Sequence, residues 1–119
     1  MSPADSLERI LEGVKKSDEV YDVTLVSRSG KHLAGEVPKE AHLETYVAMS
    51  AILLGSAETA TSELEDHLKY VLVELERSKI LIQDSGPSAI LVTRLEEDAS
   101  LEDVLKATRE PIEDIKRSL

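Results

Sequence analysis

TYVAMSAILLGSA, the stretch from Thr45 to Ala57, contains no charged residue in a chain where Asp, Glu, Lys and Arg make up 32%. At roughly 100° per residue, Leu43, Tyr46, Val47, Leu53, Leu54, Ala57 and Leu64 fall on one side of a helix and need a core. The opposite side carries Ala41, Thr45, Ala48, Met49, Ile52, Ser56 and Thr59, which are small or apolar up to Glu63. A helix with no wet face is covered on two sides. One cover is the chain's own sheet; the other is a second copy of the molecule, so a dimer is expected. The competing cover is the chain's own loops. Small residues with Met49 and Ile52 as bulky anchors favour helix-on-helix contact across a two-fold axis. Each anchor, fully buried, is worth about 1.5 to 3 kcal/mol and counts twice in a symmetric pair.

The helix is read from about Lys39 to Asp66. Gly55 in its middle costs about 1 kcal/mol relative to alanine, which a close backbone approach would offset. Before it, Leu7, Ile10, Leu11 and Val14 form the stripe of a short first helix, with Ser2 as cap and Pro3 in the first turn. The β-branched run Val20 to Ser27 reads as a strand. Arg28-Ser29-Gly30 forms the turn, with Gly30 supplying positive φ, and Lys31 to Val37 returns as a weaker strand ended by Pro38. Three strands follow the long helix, at His67 to Arg77, Lys79 to Asp84 and Ser88 to Leu95, as an antiparallel meander. AILV in the last is apolar on both faces, which places that strand mid-sheet with helices on each side. Ser100 and Asp103 form a capping box for a final helix, in which Pro111 predicts a kink or break near Thr108 to Glu110.

The expected fold is therefore α/β of the α+β kind, in the order αββαβββα. A five-stranded, mostly antiparallel sheet carries helices on both faces. Residues 1–119 form a single domain, because 119 residues at 41% hydrophobic content fit one core and no linker divides them. The strand from His67 to Arg77 would be a long apolar edge. Pairing it with its own copy removes that edge, makes one continuous ten-stranded sheet and brings the two long helices together. The expected dimer interface is Thr45, Ala48, Met49, Ile52, Ser56 and Thr59 on the helix, with Tyr70, Val71, Leu72 and Val73 on the strand.

Charge and composition narrow the function. With 14 basic against 24 acidic residues, the net charge of -10 repels phosphate backbones and anionic lipid, so neither nucleic acid nor membrane insertion is expected. No apolar run is long enough to span a bilayer and the start lacks a signal peptide's pattern, which predicts a cytoplasmic protein. The chain has no cysteine, excluding disulfides and thiolate chemistry. His32, His42 and His67 are scattered and read as solvent-facing, not as metal ligands. The acidic clusters Glu63, Glu65, Asp66 and Glu96, Glu97, Asp98 lack calcium-loop spacing and read as solvated surface. No catalytic constellation, metal site or cofactor fingerprint emerges.

With these elements in place, the chain resembles the Roadblock / dynein light chain family, a relative of longin and profilin-like folds, over about Asp5 to Lys116. The resemblance rests on element order, on the hairpin VYDVTLVSRSGKHLAGEV, on the small-residue helix ETYVAMSAILLGSAE, and on SAILVTRL before the last helix. Family members often have an acidic residue before the turn glycine; this chain has Ser27, Arg28 and Ser29 there. The resemblance implies a homodimer, or a heterodimer with a paralogue, that works without catalysis as an adaptor for a Ras-like small GTPase and modulates its nucleotide cycle. It implies no arginine-finger role for Arg28, Arg77 or Arg94. Two alternatives stand beside it: a small-molecule sensor resembling PAS or GAF domains, disfavoured by the scarcity of aromatics, and a purely structural subunit of a motor or signalling complex.

Overall fold

The computed structural model describes residues 3–119, so the cap expected at Ser2 lies outside the described residues. The elements are α1 (Pro3–Lys15), β1 (Val20–Ser27), β2 (His32–Gly35), α2 (Leu43–Thr61) with a 3-10 turn at Ser62–Leu64, β3 (Val71–Glu74), β4 (Ser78–Asp84), β5 (Ala89–Glu96) and α3 (Leu101–Ser118). The order is αββαβββα, as expected. The five strands lie in the order β2-β1-β5-β4-β3, and every neighbouring pair is antiparallel.

β5 sits at the centre, where AILV requires cover on both faces. Its side chains alternate between two core layers. Ala89, Leu91 and Leu95 meet Leu7, Leu11 and Val14 of α1 and Val104 and Ile115 of α3, while Ile90 and Val92 meet Val47 and Leu54 of α2. The single core expected from composition is thus split by the sheet. β1 is covered on both faces as well: Asp22, Val23, Thr24, Leu25 and Val26 are all buried.

Several boundaries differ from expectation for identifiable reasons. β2 is confined to four residues because Gly35 ends it at φ +81, where a Cβ would lie 2.3 Å from the Val23 carbonyl oxygen. β3 covers only Val71–Glu74 of the expected His67 to Arg77, since Leu75 already turns back, donating its N–H to the Ser78 carbonyl at 2.8 Å. α2 starts at Leu43, not Lys39, because the Ala41 N–H bonds the Pro38 carbonyl in a turn. It gives way to the 3-10 turn after Thr61, and Glu65 adopts a left-handed conformation beyond it.

Of the kink or break expected near Thr108 to Glu110, no break forms: α3 runs as one helix through Pro111. Proline lacks the N–H that would bond four residues back, but its fixed φ is helical. Val104, Thr108 and Ile115 hold both halves of the helix to the core. Ser100 caps it by accepting the Asp103 N–H at 3.2 Å; the Ser100 N–H is bound by Glu19 instead of by Asp103. No helix among the described residues is long and apolar enough to cross a membrane.

Candidate functional site

α2 begins where the His42 ring accepts the Thr45 N–H. Only Val47, Ser50 and Leu54 are buried along its 19 residues, facing Val26, Ile82, Ile90 and Val92 of the sheet. The Ser50 hydroxyl is neutralised within the helix, donating to the Tyr46 carbonyl at 2.8 Å. On the far side Thr45, Met49, Ile52, Ser56 and Thr59 are exposed, Met49 at 48% and Ile52 at 54%, so no loop among the described residues covers them. Ala48 is half-buried beneath the β1–β2 turn. There Gly30, at φ +87, approaches so closely that a Cβ on it would lie 3.1 Å from the Ala48 Cα.

The inward face is narrower than periodicity suggested. Leu43, Leu53 and Leu64, expected in the core, are exposed at 42%, 44% and 69%. Leu43 is the first residue of α2 and Leu64 lies in the 3-10 turn past its end, while Leu53 sits one residue position, about 100°, from the buried Leu54. In a helix apolar all round, the pattern does not specify its phase. A close backbone approach is expected at Gly55; among the described residues, its own helix backbone and chain neighbours aside, no atom lies within 4 Å of where its Cβ would be. It floors a shallow groove with Ile52, Ser56, Thr59 and Ala60.

The strand half of the surface is the β3 edge. Tyr70, Val71, Leu72 and Val73 are half-buried, Tyr70 and Leu72 against the α1/α3 layer and Val71 against the α2 layer. The two sheet edges are treated differently. At β2, the outward Gly35 N–H donates to both carboxylate oxygens of Glu8, at 3.1 and 3.2 Å, and the Gly35 carbonyl meets the His32 ring at 2.8 Å. At β3, ladder alternation points the Leu72 backbone outward. Among the described residues no side chain caps it.

Two ion-pair clusters fasten α2 and the sheet. Arg28, in the β1–β2 turn, donates to both oxygens of Glu58 on α2, at 2.7 and 3.2 Å, and to Asp84 at the end of β4. Arg94 on β5 faces Asp22 on β1 in register and donates to it at 2.8 Å, with the Tyr21 ring 4.9 Å from its guanidinium carbon. Burial raises the Asp22 carboxyl above its usual range, only partly offset by Arg94. Burial and the Asp22 charge push the Tyr46 phenol up to about 12. One Asp22 oxygen and the Tyr46 hydroxyl are sealed from solvent without a hydrogen-bond partner among the described residues.

Of the three arginines considered above, Arg28 and Arg94 are thus engaged within the chain, and Arg77 is exposed in the β3–β4 turn. His32, His42 and His67 are exposed on separate elements, and no group of three or more potential metal ligands occurs among the described residues. Sequence reasoning missed both clusters. A lone Asp in VYDVTLVS and a lone Arg in AILVTRLE were a usable signal, since a buried charge needs a partner on a neighbouring strand. Arg28, Glu58 and Asp84, on three separate elements, carry no such signal.

A family model described as the Roadblock/LC7 domain matches residues 6–94. An uncharacterized protein of Methanocaldococcus jannaschii is 28% identical over 87 residues, 72% of this chain and 74% of its own. Among solved structures, MglB with a tetrameric arrangement superposes with a TM-score of 0.88 at 21% identity, covering 99% of this chain and 90% of that one. The gliding protein MglB of Thermus thermophilus gives 0.86 at 21%, covering 99% and 91%. At these identities the structural likeness establishes the fold.

Proposed function

The chain belongs to the Roadblock/LC7 family, and from that premise we propose that it acts as a non-catalytic homodimeric adaptor for a Ras-like small GTPase, whose nucleotide cycle it modulates. The two-fold contact joins the outer face of α2, with Met49 and Ile52 at its centre, to its own copy. It also pairs the β3 edges, so that two sheets become one of ten strands.

One observation carries this reading: side chains cap the Gly35 backbone at the β2 edge, while among the described residues none caps Leu72 at the β3 edge, beside an exposed apolar helix face. An exposed strand edge and an exposed apolar helix face are each an aggregation hazard in isolation. α2 packs on β3, so both lie in one region, and a single symmetric contact removes both. Gly55, which no other element among the described residues approaches, gives a partner backbone room to come close. The acidic surface suits a partner with a basic patch and opposes nucleic acid and anionic lipid.

The experiment is sedimentation over a dilution series, followed by capture of partners from native lysate and a GTP hydrolysis assay with the captured GTPase. A dimer that retains a small GTPase, and releases it as salt is raised, supports the proposal. A monomer at all concentrations refutes the dimer. A dimer that binds no GTPase, or one whose GTPase binding is indifferent to salt, refutes the corresponding part. A metabolite that raises the melting temperature would favour the sensor alternative.

A further inference from the structure

We propose that Arg28 is a positioning residue that sets the roll of α2 about its own axis, and so decides which side of that helix is offered to a partner. This rests on the dimer reading for its functional consequence, but not for its geometry.

Apolar contact by itself does not set the roll. Val47, Ser50 and Leu54 face the sheet. A roll of one residue position, about 100°, would present Tyr46, Met49 and Leu53 in their places, exchanging apolar for apolar and replacing a serine with a methionine. A helix with one apolar stripe resists such a roll because charges would enter the core; α2 between Thr45 and Ala57 has no charge to bury. Rolled that way, the molecule would turn Ala51 and Gly55 toward the partner and withdraw Met49 and Ser56.

Two contacts oppose the roll, and both come from the β1–β2 turn. In the N-terminal half, Gly30 accepts Ala48 beneath it and would have to accept the bulkier Val47. In the C-terminal half, Glu58 lies on the same helical face as Val47 and Leu54, and Arg28 grips it with two bonds. The roll would put Ala57 there, which offers no carboxylate. Arg28 is in turn held by Asp84 and by its own N–H, which donates to the Ser88 carbonyl at 3.3 Å. The fastening is therefore tied to the sheet, and its fork geometry reads orientation as well as charge.

The chain has no cysteine, so single-cysteine reporters are unambiguous. Ser56→Cys lies on the outward face and Ala51→Cys is half-covered, and both replacements are small. Thiol-labelling rates of each are compared in the Arg28 background and with Arg28→Gln, and again with Glu58→Gln, which keeps the Arg28–Asp84 pair if the first variant folds poorly. At a dilution where no partner covers either site, the expected result is that Ala51→Cys quickens by up to about threefold, the equilibrium shift a partly exposed ion pair supports, while Ser56→Cys slows by a smaller factor because its exposed state stays the majority. Disulfide cross-linking between copies moves in the same direction. A lower melting temperature with both labelling rates unchanged would overturn the proposal, leaving Arg28 as a simple stabiliser. If the parent protein is monomeric, the dimer reading fails, while the labelling rates still report the roll.

Discussion

Replacing Ile52 by glutamate tests the helix-centred contact with a magnitude drawn from the structure. Ile52 keeps 54% of its surface exposed in the protomer. About half of the 1.5 to 3 kcal/mol available from burying an isoleucine is therefore left for a partner, about 0.8 to 1.6 kcal/mol per copy. A two-fold axis counts it twice, roughly 1.6 to 3.2 kcal/mol, or about 15- to 200-fold in the dimer dissociation constant. Two glutamates facing each other add desolvation and repulsion on top of that loss. The protomer itself should change by no more than about 0.5 kcal/mol, because the site is wet in the single chain. Sedimentation velocity over a dilution series reads the first quantity, and urea unfolding at the highest dilution reads the second. An Ile52→Glu protein that dimerises within about threefold of the parent constant would refute the α2-centred interface.

Three further outcomes follow from the core, the hairpin and the buried carboxylate. Leu54→Ala, at a side chain 1% exposed between α2 and the sheet, should cost about 2 to 5 kcal/mol in chemical denaturation, and a loss below about 1 kcal/mol would mean that α2 is not seated on this residue. Gly30→Val should destabilise by at least about 1 kcal/mol and lower the melting temperature, since both the positive φ and the contact with Ala48 oppose a side chain; an unchanged melting temperature would contradict that packing. Burial raises the Asp22 carboxyl, so its ionisation weakens the fold. Its stabilising contribution is full below the ordinary aspartate value of 3.8 and is lost as pH rises through the higher folded-state value. Urea unfolding across that window should therefore show the parent gaining on Asp22→Asn as pH falls, and the opposite trend would count against a raised carboxyl.

Much of this protein was legible from residue order. AILV placed β5 at the centre of the sheet because a strand apolar on both faces must be covered on both. Gly30 marked the hairpin turn because few other residues adopt its φ, and Ser100 marked the start of α3 through its capping geometry. The period of two or 3.6 residues determines which element forms, since that choice is made by neighbours along the chain.

What the tertiary structure alone decided is orientation and pairing. It chose Val47 and Leu54 over Leu43, Leu53 and Leu64 as the seat of α2, because a uniformly apolar helix has no preferred phase until a sheet and an ion pair select one. It capped Gly35 at the β2 edge with Glu8 and His32 and, among the described residues, set no side chain on Leu72 at the β3 edge. It joined Arg28 to Glu58 and Asp84 across segments whose spacing in the chain bears no relation to their distance in space. Local periodicity is written in adjacent residues; the meeting of distant charges exists only once the chain has folded.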